Sequence, residues 1–235
     1  MDIKKKVNGY FYRIYNRIFV PLQIRNHPKV FCIGMNKTGT TSFICAMKDL
    51  GYVVGDQAKG EQLLRDYRKN KFKRIIDYCR TAEVFQDVPF SLPKTYEYLD
   101  REFPKAKFIL TVRDSSEQWY NSITKFHALR FGNGELPTSE QLKKADYIYP
   151  SYMWHLMQAI CNSSEKNPYD KDLLMDAYDV YNSQVISYFD NRPKDFLLIN
   201  LSNKDSYSKL VDFLGVSSPF KDFPWENKTN QFTKQ

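Results

Sequence analysis

The chain has 235 residues, 42% of them hydrophobic and 16% aromatic, so it carries ample apolar mass for one domain with a substantial core. No run of about 20 apolar residues occurs, which argues against a membrane-spanning helix. The formal net charge of +8 suits anionic ligands, but no basic run interleaved with aromatics along one face reads as a nucleic-acid module, and no nucleic-acid partner is expected.

Residues 1–28 form a basic lead-in closed by Asn26, His27 and Pro28. Ile14, Ile18 and Leu22 share one helical face there, with Lys4, Lys5, Lys6, Arg13 and Arg17 around it. Two readings are open: a helix packed on the domain, or one lying on an anionic membrane as a peripheral contact. Arg13, Asn16 and Arg17 interrupt the apolar stretch and argue against a signal peptide.

A single domain is expected over 29–235. Its first strand falls at about 29–34, around the apolar run Val30–Ile33. A loop bracketed by Gly34 and Gly39 follows. Phe43, Ile44, Met47 and Leu50 then predict a helix ending near Gly51. Residues 52–55 read as extended and 59–80 as one charged amphipathic helix, with Leu63, Leu64, Tyr67, Phe72, Ile75, Ile76 and Cys79 inward.

A short strand over 83–87 precedes a helix over 91–103. Residues 106–112 make the clearest strand, rich in β-branched and aromatic residues. Ser115–Gln118 looks like a capping box opening a helix through Phe131. A loop, a short helix over 138–145 and an aromatic-rich region to Cys161 come next. The periodicity then gives a long helix over 170–191, with Leu173, Leu174, Ala177, Tyr181, Val185 and Tyr188 inward, a strand over 196–201, and a helix over 206–214 stopped by Gly215.

Strands alternate with helices throughout. The pattern predicts an α/β fold of three layers, with a doubly wound parallel sheet and a P-loop-like phosphate-binding loop. Ligands of such sheets sit outside the carboxyl ends of the strands. Those ends carry Gly34–Ser42, Asp87, Arg113–Asp114 and Asn200–Ser202. Cys32, Cys45, Cys79 and Cys161 form no C-x-x-C pair, so buried free thiols and a reducing, cytoplasmic compartment are expected.

Strand, glycine-bounded loop and helix N-terminus together make an anion cradle. Gly34 and Gly39 have the spacing of the NTPase loop G-x-x-x-x-G-K-[ST], but Thr40 stands where that loop has lysine, and Lys37 lies inside the loop instead. This arrangement resembles the 5′-phosphosulfate loop of the sulfotransferases, which use 3′-phosphoadenosine 5′-phosphosulfate (PAPS). By that resemblance Asn36, Lys37, Thr38, Gly39, Thr40 and Thr41 hold the cofactor's 5′ end, and Lys37 bridges the 5′-phosphate and the sulfuryl group in flight.

Arg113, followed by a serine two helical turns later, resembles the family's 3′-phosphate segment. The family serine stands eight residues after the arginine; here the eighth is Asn121 and the ninth is Ser122. Ser122 is the candidate, with Asn121 the alternative. Asp87, closing a short strand, resembles the family's general base; His127 and His155 are its rivals. Phe223–Thr229 is similar to a late segment of bacterial and carbohydrate-type members, and Lys228 would reach the cofactor phosphates unless the segment is a solvated tail.

The resemblance spans about residues 29–229. It implies metal-independent transfer of a sulfuryl group from PAPS to a hydroxyl on a carbohydrate, lipid-linked or small-molecule acceptor, releasing adenosine 3′,5′-bisphosphate. Two other readings share the fold. A nucleotide kinase or NTPase needs a lysine at position 40 and a metal-binding acid. A non-catalytic nucleotide-binding protein would keep Arg113 but need neither Lys37 nor Asp87.

Overall fold

The computed structural model describes residues 28–224; the expected lead-in helix lies outside them. In chain order the elements are β1 (Val30–Cys32), α1 (Thr40–Asp49), α2 (Gln57–Gln62), α3 (Leu64–Tyr67), α4 (Phe72–Tyr78), β2 (Val84–Phe85) and α5 (Thr95–Glu102). They continue with β3 (Lys107–Thr111), α6 (Ser116–Phe131), α7 (Ser139–Lys144), α8 (Tyr152–Cys161), α9 (Lys171–Tyr188), β4 (Phe196–Ile199) and α10 (Ser206–Leu214).

The four strands pair in parallel in the order β2-β1-β3-β4. Side chains alternate across the sheet. Phe31, Ile33, Phe108 and Leu110 enter one core with Trp119 and Ile123 of α6 and Leu174, Tyr178, Tyr181 and Val185 of α9. Val30, Cys32, Ile109 and Ile199 enter the other with Phe43, Ile44 and Met47 of α1 and Leu210 of α10. Phe31 is ringed by Phe85, Phe90, Phe103 and Phe108 at centroid distances of 5.8, 6.0, 5.8 and 5.5 Å. Truncating so buried a ring costs about 3–5 kcal/mol, so β1 is a firm base for the loop it launches.

From β1 the chain steps to β2 on one side; from β3 it steps to β4 on the other. Right-handed crossovers in opposite directions put the following helices on opposite faces. A crevice therefore opens between the carboxyl ends of β1 and β3.

Four expectations change. The helix over 59–80 is three short helices: α2 gives way to α3 at Leu63, and Asn70, at a left-handed φ of 53°, lies in the turn between α3 and α4. The helix expected from Ser91 starts only at Thr95, after Pro93 and the left-handed Lys94 (φ 65°). On α9, Leu173 and Tyr188 are 39% and 38% exposed, while Tyr178 takes the inward place. The capping at Ser115 is half of a box: its hydroxyl accepts from Gln118 N at 3.1 Å, but the Gln118 side chain accepts from Asp114 N. Residues 52–55 touch the sheet through one parallel bridge, Val54 to Val84. Among the described residues Cys32, Cys79 and Cys161 are free thiols, and no helix is long and apolar enough to cross a membrane.

Candidate active site

The loop after β1 is fixed from several sides. Gly34 runs against β3 so closely that a Cβ there would collide with the hydroxyl and main chain of Thr111. The Thr38 hydroxyl donates to Met35 O at 2.7 Å and meets the Thr111 hydroxyl at 2.6 Å. Tyr181 donates to Ile33 O at 2.6 Å, Trp119 Nε1 to Asn36 O at 2.9 Å, and Arg113 Nε to Lys37 O at 2.7 Å. These bonds hold Lys37 at a left-handed φ of 74°, a conformation that costs a non-glycine residue ~1–3 kcal/mol and persists only when its surroundings over-determine it. Gly39, at φ 99°, then turns the chain into α1, whose first turn carries no acidic residue. A helix N-terminus of that kind favours an anion.

A cavity of about 500 Å³ opens at this end of the sheet. Asn36, Lys37, Gly39, Thr40 and Thr41 line it, as do Asp87 after β2 and Arg113 after β3. Ile123, Phe126, His127 and Arg130 of α6 form another wall, with Tyr147, Tyr152 and Met153 beyond. The topology thus brings together the residues expected at three strand ends.

Its cationic end holds Lys37 and Arg113. Neither forms an ion pair among the described residues. Arg113 does not pair with its neighbour Asp114, because Asn200 Nδ2 and Gln118 Nε2 engage that carboxylate at 2.6 and 2.9 Å. The Lys37 ammonium sits 4.0 Å from the centroid of the Phe126 ring. Burial, then the Arg113 charge, push the Lys37 ammonium down from its ordinary pKa, against the pull of Asp87. Two cations facing a shared space are poised for an anionic ligand.

Asp87 forms the opposite side. It is buried, at a left-handed φ of 56°. Burial raises its pKa to about 6, opposed by the Thr40 hydroxyl and the Lys37 charge. Gln57 Nε2 donates to Asp87 Oδ2 at 2.9 Å and to Glu61 Oε1 at 3.3 Å. Glu61 is equally buried, and desolvation followed by the Asp87 charge lifts its pKa to about 7. Asp87 Oδ1 and the Tyr152 hydroxyl are buried with no hydrogen-bond partner among the described residues.

The expected residues divide. Thr38 does not line the cavity, since its hydroxyl is spent inside the loop and its N–H goes back to Met35 O. Ser122 is half-buried beside the Trp119 and Phe126 face of α6, Asn121 is exposed, and neither lines the cavity. Lys228 lies outside the described residues. His127 does line the cavity, but its Nδ1 is 2.9 Å from the Tyr169 hydroxyl, and burial, then Lys37, lower its pKa to about 3. His155 lies off the cavity; burial, Arg68 and Arg65 all disfavour its charged form.

Sequence reading missed Gln57, Glu61, Phe126 and Arg130. A signal existed for the first two: with Leu64 they stand at i, i+4 and i+7, so a polar pair continues the inward stripe of a charged helix.

A family model described as the sulfotransferase domain matches residues 29–232. No curated protein matches the chain.

Proposed function

We propose that this chain, which belongs to the sulfotransferase domain family, moves a sulfuryl group from PAPS to an acceptor hydroxyl by in-line displacement. The observation that carries the reading is the convergence of Lys37 and Arg113, without carboxylate partners among the described residues, on a cavity at the α1 N-terminus, with Asp87 facing them. A ligand with anionic groups at two ends fits that layout. A kinase loop would need a lysine where Thr40 stands.

When bound, PAPS supplies an activated sulfuryl group on a phosphate leaving group. The chain's residues then have separate tasks. The amides and hydroxyls at the start of α1, with Lys37, bind the 5′ end. Arg113, charged at any working pH, takes the 3′-phosphate, which distinguishes PAPS from ATP. A desolvated ammonium is a stronger electrostatic partner than a hydrated one, so Lys37 can meet charge growing on the leaving oxygen. Asp87 takes the acceptor proton; a carboxylate with pKa about 6 is charged at neutral pH yet more basic than a surface aspartate. Phe126, Phe131, Tyr147 and Tyr152 would wall the acceptor. The cysteine spacing supports a reducing, cytoplasmic compartment.

The test is thermal stabilisation of the purified chain by adenosine 3′,5′-bisphosphate against ADP and ATP, followed by radiolabelled PAPS with a panel of sugar, lipid-linked and phenolic acceptors. Preferential stabilisation by the 3′,5′-bisphosphate and label transfer to one class are expected. Equal stabilisation by all three nucleotides would overturn the PAPS assignment.

A further inference from the structure

We propose that Glu61 and Asp87 form one acid–base unit of the transfer site, and that Gln57 is the residue that positions the pair. Its part in catalysis rests on the sulfotransferase reading; the pairing does not.

The geometry carries it. Both carboxyls are 4% exposed and both line the cavity. One amide nitrogen, Gln57 Nε2, serves both, at 2.9 and 3.3 Å. Gln86 Nε2 donates to Gln57 Oε1 at 3.2 Å, which fixes the amide with its nitrogen toward the two acids. A side chain oriented this way by a third residue is a built arrangement rather than a chance approach.

The two acids have unequal surroundings. Asp87 faces Lys37 and the Thr40 hydroxyl from the loop and α1. Glu61 faces Gln57 on its own helix and the Asp87 charge. Arg113, His127, Arg130, Tyr147 and Tyr152 complete the titratable or charged groups around the cavity. His127 is neutral there, and burial, then the charges of the two acids, hold Tyr147 and Tyr152 protonated. The ammonium beside Asp87 favours the charge on that residue, so Glu61 is the member that keeps a proton in the neutral range. Burial raises both, and two adjacent carboxyls lose their protons in separate steps.

The chemistry follows from that division. An acceptor hydroxyl can donate to Asp87 Oδ1 and accept from the Tyr152 hydroxyl, buried atoms of two cavity-lining residues that have no hydrogen-bond partner among the described residues. As transfer proceeds, the acceptor oxygen's electron pair forms the bond to sulfur and its proton passes to Asp87. The electron pair of the broken sulfur–oxygen bond stays on the departing 5′-phosphate. Asp87 then returns its proton to solvent. Ionisation of Glu61 at higher pH puts a second negative charge beside Asp87 and strengthens its hold on that proton.

The experiment is melting temperature against pH for the full chain, between pH 5 and 8.5, in wild type, Glu61→Gln and Asp87→Asn. Both folded-state pKa values are raised, from 3.8 to about 6 and from 4.5 to about 7. The stability they confer is therefore lost as pH rises through the folded values. Against wild type, Glu61→Gln should remove the upper step of that loss. Asp87→Asn should move the remaining step down by about one pH unit, because the charge opposing Glu61 ionisation is gone. Should Asp87→Asn fail to fold, Gln57→Met serves instead, moving the upper step to higher pH by deleting the bond that favours the charged form. Steps that stay in place in these variants overturn the pairing. Stabilisation of the same wild-type sample by adenosine 3′,5′-bisphosphate at pH 7 separates the two ideas: its absence counts against the sulfotransferase reading, whereas its presence with unmoved steps counts against the pair alone.

Discussion

Arg113 Nε donates to the main-chain oxygen of Lys37 at 2.7 Å, across 76 residues of sequence. The bond ties the end of β3 to the loop after β1. Tyr178 accepts from Arg113 N at 2.9 Å and fixes the other side of that residue. One side chain thus shapes the anion loop and offers its remaining N–H groups to the cavity.

Arg113→Lys keeps the charge but not the planar fork that serves loop and ligand together. Loss of a charge-assisted hydrogen bond costs about 1.5–3 kcal/mol, so affinity for adenosine 3′,5′-bisphosphate should fall at least tenfold in isothermal titration calorimetry. The preference over ADP should shrink with it. Unchanged affinity and preference would remove Arg113 from the 3′-phosphate role.

Asp87→Asn keeps the shape and deletes the base. The rate of sulfuryl transfer should drop by about 10²–10⁴-fold, with binding of adenosine 3′,5′-bisphosphate close to wild type. His127→Gln should keep most turnover, because a buried imidazole with pKa about 3 is a poor proton acceptor at neutral pH. An inactive but folded His127→Gln chain would transfer the role to the histidine.

His127 also gives the protein an acid-sensitive element. Its folded pKa is depressed from 6.5 to about 3. The stability it confers is present above 6.5 and is lost as pH falls toward the folded value, by up to about 1.4 kcal/mol per pH unit. His127→Gln should therefore lose less stability than wild type between pH 7 and pH 5, read from urea midpoints. Asp87 and Glu61 act in the opposite direction over the same range, so the comparison must be between variant and parent at each pH.

Tyr152→Phe should separate stability from activity. The hydroxyl is buried without a hydrogen-bond partner among the described residues, and leaving such a group unsatisfied costs about 1–3 kcal/mol. Removing it should raise the melting temperature of the unliganded chain and lower the transfer rate. A chain no more stable and fully active would show that this hydroxyl has no part in holding the acceptor.

Gly34→Ala probes the loop's foundation. The added methyl would meet the Thr111 hydroxyl and main chain on a neighbouring strand, where neither side can withdraw without breaking the sheet. Destabilisation of about 3 kcal/mol or more is expected, measured by chemical denaturation. A stable Gly34→Ala chain would mean that β1 and β3 can separate at their carboxyl ends.

Several features of the site were legible from local pattern alone. The strand before Gly34, the turn at Gly39 and the helix from Thr40 each have a short-range cause: an apolar run, a left-handed glycine, an apolar stripe at helical spacing. Once strands are read as parallel, their carboxyl ends must share one side of the sheet, and that alone puts Lys37, Asp87 and Arg113 around one crevice. Partner choice among side chains has no such local cause. Asp114 could have paired with Arg113, yet Asn200 and Gln118 take its carboxylate. Thr38 could have faced a ligand, yet it closes on Met35 and Thr111. Glu61 continues the inward stripe of its helix, but nothing in that spacing says that Gln57 of α2 will join it to Asp87, 26 residues further along the chain. Such choices depend on contacts between residues far apart in the chain, where burial prices every unpaired polar group; sequence spacing carries the periodicity of an element but not the identity of the surface it will meet.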